Sequence, residues 1–169
     1  HMSLYQLTIE QGTAFGDRYN RGRLKGLPND DIAAELYDIT SNLCEDRGLK
    51  AYEVSNYAQE DFESVHNLIY WRYGDYIGIG PGAHGRITID GRKYATETHL
   101  SPEDWITKVE SQDSGESCVT ELSKTQQADE MVMMGLRLNE GINCKRFQNL
   151  SGFPFSENKL TFLKNIQLI

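Results

Sequence analysis

Apolar residues recur along the chain at two different spacings. Leu4, Tyr5, Leu7 and Ile9 crowd one short run, so residues 2–10 read as a strand. Between residues 30 and 47 the spacing changes. Ile32, Leu36, Ile39 and Leu43 fall on one helical face, and Asp31, Glu35 and Asp38 fall elsewhere as a solvated face. Asn29 or Asp30 caps this helix and Gly48 stops it. The Asp30–Asp31 pair is explained by capping and the helix dipole, not by catalysis. Residues 50–58, "KAYEVSNYA", read as a second strand. Strand, helix, strand is a crossover unit, which predicts a parallel pair. Residues 11–30 hold four glycines and one proline and read as a long loop.

The pattern then becomes aromatic. Residues 64–80, "SVHNLIYWRYGDYIGIG", end in an apolar run at 76–79 that predicts a further strand. "RITI" and "KYAT" flank Asp90-Gly91-Arg92, a hairpin signal. Ser101 caps the next helix with Pro102 at its first position, and Trp105, Ile106 and Val109 are its apolar face. "SQDSGES" (111–117) reads as a loop. Ser123 and Gln126 open a helix that runs to Gly141, with Met131, Met133 and Met134 as core. Asn143 or Cys144 opens a short helix through Leu150, and Ser156 caps a third. Three short helices suggest a winged-helix-like tail. The chain stops at the apolar "NIQLI" with no terminator, so the expectation is a longer natural chain.

Composition narrows the partners. Seventeen basic against 25 acidic residues leave a net charge of −8, which argues against nucleic acid or an anionic membrane surface. No apolar run approaches the length of a membrane span and no signal peptide is visible. The three cysteines, at 44, 118 and 144, are scattered. They fit a reducing, cytoplasmic compartment and do not form a metal or cluster motif by themselves.

The stretch "YIGIGPGAHG" (76–85) contains G-x-G-x-x-G at Gly80, Gly82 and Gly85. A dinucleotide loop needs a helix after it, and here a hairpin follows. Pro81 also removes an amide that a phosphate nest would use. The glycines therefore serve either a tight packing turn or a close approach of backbone to a ligand.

Four motifs in order carry a resemblance: "SLYQLTIE" (3–10), "YEVSNYA" (52–58), "HNLIYW" (66–71) and "DYIGIGPGAHG" (75–85). Together they resemble the oxygen-independent coproporphyrinogen III oxidase-like family of radical S-adenosylmethionine proteins, and its heme-chaperone branch in particular. Gln6 and "HNLIYW" favour that branch. The resemblance implies a mixed α/β fold, the end of a partial barrel up to residue 120 and a helical, winged-helix-like region from 121 to 169. It implies that a preceding radical S-adenosylmethionine domain holds a four-iron four-sulfur cluster on C-x-x-x-C-x-x-C, a motif this sequence does not contain, so the chain alone is expected to be inactive. It implies S-adenosylmethionine and heme, or another porphyrin, as ligands of the longer protein. By the same analogy Thr8, Gly80, Gly82, Ala83 and His84 line the cofactor side.

The residues leave alternatives. His66 is either a heme-proximal imidazole or a hydrogen-bonded structural histidine. His84 lines a cleft or is an exposed loop residue. Glu53, Ser55 and Asn56 meet a ligand or fix neighbouring loops. If residues 2–10, 51–57 and 76–79 share one sheet, Gly80 to His84 turn at its ligand edge beside Thr8. A different class of function stays open: an interaction module whose helical tail binds a partner other than DNA.

Overall fold

The computed structural model describes residues 1–166, and the end of the "NIQLI" run lies outside them. The chain divides into two compact units, His1–Ser64 and Val65–Ile169. The boundary drawn from the sequence at residue 120 falls inside the second.

In the first unit, β1 (Met2–Ser3) is far shorter than expected. Residues 4–10 form no ladder, although the Leu4 N–H still donates to the Ser55 carbonyl at 2.8 Å. The supposed long loop contains α1 (Ala14–Asn20), capped by the Thr13 hydroxyl. Then comes α2 (Asp30–Glu45), whose Asn29 side chain accepts the Ile32 N–H at 2.9 Å. Gly48, at φ +74°, turns the chain out of it.

The expected second strand is two strands, β2 (Lys50–Glu53) and β3 (Asn56–Ala58), folded into a hairpin. The sheet order is β1-β3-β2 and both pairings are antiparallel. β1 and β2 do run in the same direction, as a crossover requires, but β3 lies between them. Among the described residues no parallel pair is hydrogen-bonded, and the expected parallel unit is corrected to this arrangement.

The second unit opens with α3 (Val65–Trp71). Residues 76–79 are not a strand. They touch β4 only through the bridge from Tyr76 to Arg86, and they add nothing to the first sheet. β4 (His84–Ile89) and β5 (Arg92–Thr98) form the expected hairpin, with Asp90 and Gly91 both at positive φ. α4 (Pro102–Gln112) follows, capped by Ser101 as the sequence predicts. The segment read as a loop from 111 to 117 is mostly the end of α4 and the start of β6 (Glu116–Glu121), which pairs with β5.

The tail holds α5 (Lys124–Gly135), α6 (Cys144–Ser151) and α7 (Glu157–Asn165). Ser123 and Gln126 make a full capping box. α5 ends at Gly135, earlier than Gly141: a side chain at Gly135 would run into Ile142. Tyr73, Ala128, Met131 and Phe147 form the core here, packed by Val132, Ile142, Leu150 and Phe155. The Phe147 and Phe155 rings stack at 3.7 Å. Met133 is 62% exposed and is not a core residue.

Candidate functional site

α3 carries the "HNLIYW" motif. The seven-residue helix is too short to stand alone and is held from outside. Arg72, just past its end, forks onto the Glu140 carboxylate at 2.7 and 2.8 Å. Arg146 of α6 donates to the carbonyls of Arg72 and Tyr73. Arg137 lies 4.4 Å over the Trp71 ring, and the buried Trp71 Nε1 has no acceptor among the described residues.

His66 is exposed on this helix. Its ring meets Tyr70 edge-on at 4.8 Å, and Tyr70 in turn meets Tyr76 at 4.3 Å. Among the described residues the imidazole makes no hydrogen bond, and its contact is the edge of the Tyr70 ring.

Behind α3 sits a half-buried ionic network. Arg86 of β4 pairs with Glu130 of α5, Nη2 to Oε1 at 2.9 Å and Nε to Oε2 at 3.0 Å. The Tyr73 hydroxyl donates to Glu130 at 2.9 Å. Lys93 bonds Asp75 at 2.8 Å and lies 4.2 Å over the Tyr73 ring. Burial works to raise the Glu130 carboxyl, but hydrogen bonds from Arg86 and Tyr73 outweigh it and hold it below the usual range. Asp75 is likewise held low by Lys93 and Thr88 against the effect of burial. Tyr73 is pushed up by burial and by the neighbouring Glu130 carboxylate. Each charge here has a partner, so the network reads as a clamp between sheet and helix.

The glycine loop is laced from within. The Thr98 hydroxyl donates to the Gly80 carbonyl at 2.6 Å and accepts the Ala83 N–H at 2.8 Å. The Gly82 N–H goes to the His99 carbonyl at 2.8 Å. Gly80 takes φ +101°, which L side chains avoid. Gly85 is pressed so close to Thr96 that a Cβ would overlap its hydroxyl. The amides of Gly82 and Ala83 are spent internally and a strand follows, so this is no phosphate cradle. His84, at the start of β4, is exposed, with Nδ1 3.9 Å from Glu97 Oε1. It borders an open groove of about 380 Å³ with Glu97, His99, Ser101 and Asp104.

In the first unit Glu53, Asn56 and Tyr57 are almost wholly buried. Glu53 accepts the Ser55 N–H at 2.8 Å and the Asn56 side-chain amide at 2.5 Å, and Ser3 bonds Asn56 from β1. These residues fix the β2–β3 turn, so the loop-fixing alternative holds for them. Burial, then Tyr57, raises the Tyr37 phenol, and the Tyr57 hydroxyl lies 2.9 Å from Ser41. Gln6 donates to the Ala33 carbonyl at 2.8 Å, and Thr8 is exposed.

The cysteines do not form a cluster cradle. Cys44 is buried in α2, Cys118 and Cys144 are exposed, and all three are free thiols. Among the described residues no group of three His, Cys, Asp or Glu side chains is placed to hold a metal ion. No described helix is long and apolar enough to cross a membrane.

Residues 122–166 match the HemN C-terminal domain family. The chain is 40% identical over 156 residues to "Radical S-adenosyl methionine domain-containing protein 1, mitochondrial" of Danio rerio, covering 89% of this chain and 35% of that protein. It is 36% identical over 174 residues to "Heme chaperone HemW" of Lactococcus lactis, covering 100% and 44%, and 45% identical over 103 residues to the Escherichia coli protein of that name, covering 60% and 26%. The chain thus spans less than half the length of these relatives. Its fold is similar to that of coproporphyrinogen III oxidase (HemN) from Escherichia coli, a radical SAM enzyme, with a TM-score of 0.61, 14% identity, and coverage of 88% of this chain and 37% of that one.

Proposed function

We propose, from a chain that belongs with the HemN-like radical S-adenosylmethionine proteins through their C-terminal region, that it supplies a tetrapyrrole-handling surface used in heme binding or delivery. One observation carries this reading. The "HNLIYW" helix shows His66 to solvent with no hydrogen bond on its ring among the described residues, and Val65 and Ile69 of the same helix are also exposed. An exposed imidazole can offer a ring nitrogen to heme iron, and the Tyr70–Tyr76 pair stiffens the platform behind it. Two relatives being named heme chaperones supports the same direction.

In the longer relatives the cluster and S-adenosylmethionine would supply radical chemistry. This chain's thiols do not suit the cluster, so it would contribute shape and not electrons. Thr8 in the first unit and, separately, Gly80, Gly82, Ala83 and His84 in the second are proposed as S-adenosylmethionine-side residues of the complete protein. The division at residue 120 is kept as a proposed division of labour, cofactor side before it and helical tail after it. The three free thiols suit a reducing compartment. The cytoplasm is the one proposed, although relatives described as mitochondrial exist.

Hemin titration tests the proposal. Weak binding is expected, with a Soret band that shifts in His66→Ala or His84→Ala. Tight binding that neither substitution perturbs would count against both histidines.

A further inference from the structure

α3 borders a groove that His66 does not line. Val65, Leu68, Ile69 and Arg72 fall at positions i, i+3, i+4 and i+7, one face of the helix. With Gly74 and Arg146 they bound about 310 Å³ of open space. Val65 is 73% exposed and Ile69 38% exposed, so the apolar floor is uncovered. Its rim is cationic. Arg72 is engaged by Glu140. Arg146 is held by two backbone carbonyls, and no carboxylate among the described residues lies within ion-pairing distance of it. Those two bonds orient the guanidinium and leave three of its five N–H donors. A fixed cation beside exposed aliphatic side chains is not a by-product of general basicity, because the chain carries a net charge of −8.

We infer that this groove seats the propionate-bearing edge of a porphyrin, with Arg146 pairing a propionate and Val65 and Ile69 lying under the ring edge. The inference rests on the tetrapyrrole reading above and deepens it. An apolar macrocycle with acidic groups on one edge matches an apolar floor with a cation on one rim. A guanidinium pre-oriented by backbone carbonyls recognises a carboxylate with little loss of side-chain entropy.

The test changes the ligand before it changes the protein. The chain is titrated with hemin and with hemin dimethyl ester, whose propionates carry no charge. Hemin is expected to bind about tenfold more tightly than the ester, the size of one charge-assisted contact. Arg146→Gln should erase that preference, and Arg146→Lys, which keeps the charge but loses the oriented fork, should keep only part of it. Near-ultraviolet circular dichroism checks that both variants are folded. Equal affinity for hemin and ester in the unsubstituted chain, with binding still lost in His66→Ala, overturns the propionate contact and leaves the tetrapyrrole reading standing. A preference that survives Arg146→Gln overturns the role of Arg146. Absence of saturable binding by either compound overturns both readings.

Discussion

The two units bury their apolar residues to very different degrees. In the second, Tyr73, Ala128, Met131 and Phe147 close a core, and paired charges bridge sheet to helix above it. In the first, the apolar stripe of α2 is half open: Ile32, Leu36, Ile39 and Leu43 are 46–50% exposed. The largest wholly buried side chains of that unit are Glu53, Asn56 and Tyr57, two of them polar, and its other buried apolar residues, Cys44 and Ala58, are small. Hydrophobic burial is the main favourable term in folding, so the second unit should carry most of the stability. The two units should also respond differently to the same kind of substitution.

The largest expected effect follows directly. Phe147→Ala opens a cavity in the closed core and should cost about 3–5 kcal/mol, whereas Leu36→Ala on α2 should cost no more than about 1 kcal/mol. Denaturant unfolding of each variant measures this. Trp71 and Trp105 fluorescence reports on the second unit and on Phe147→Ala, and hydrogen exchange along α2 reports on Leu36→Ala. Equal losses would erase the contrast.

A smaller effect is expected at the ionic clamp. Glu130→Gln leaves Arg86 without its counter-charge and should destabilise the second unit by about 1–3 kcal/mol. The pH dependence has a definite sign. The Glu130 and Asp75 carboxyls are held below their ordinary values of 4.5 and 3.8, so their stabilisation is complete above about pH 4.5. It is lost as pH falls through the depressed folded values. Acid unfolding of the second unit should therefore steepen below pH 4.5, and Glu130→Gln should flatten it. An identical acid limb in the variant would remove Glu130 from the account.

The smallest expected effect is a null one. Anaerobic reconstitution with iron and sulfide should leave no cluster on the chain, because its thiols are not gathered. Stoichiometric iron with the visible absorption of a four-iron cluster would overturn that expectation.

Local chemistry made much of this legible in sequence. Ser101-Pro102, Ser123 with Gln126, Asn143 and Ser156 all cap where their side chains allow, because capping is decided within one turn. Asp90-Gly91 fixes a hairpin for the same reason. What stayed hidden depends on partners distant in sequence or on side chains standing in for turn residues. The β2–β3 turn at Val54-Ser55 has no glycine; the Glu53 carboxylate, by taking the Ser55 N–H, shapes it instead. β6 is exposed along its whole length, so "ESCVTE" shows no buried alternation. Residues 2–10 have strand-like apolar bulk, but only Met2 and Ser3 find a ladder partner. At the candidate site, "HNLIYW" was visible as a motif. The contribution of Arg146 was not, because 74 positions separate it from Arg72 in the chain.

Hydrogen exchange of the chain with and without excess hemin tests the central claim most directly, since it reads both units at once. The account predicts slowed exchange at residues 65–74, around His66 and the groove beside it, and unchanged exchange along α2. Protection centred on α2, or none at residues 65–74 while hemin is bound, would contradict it.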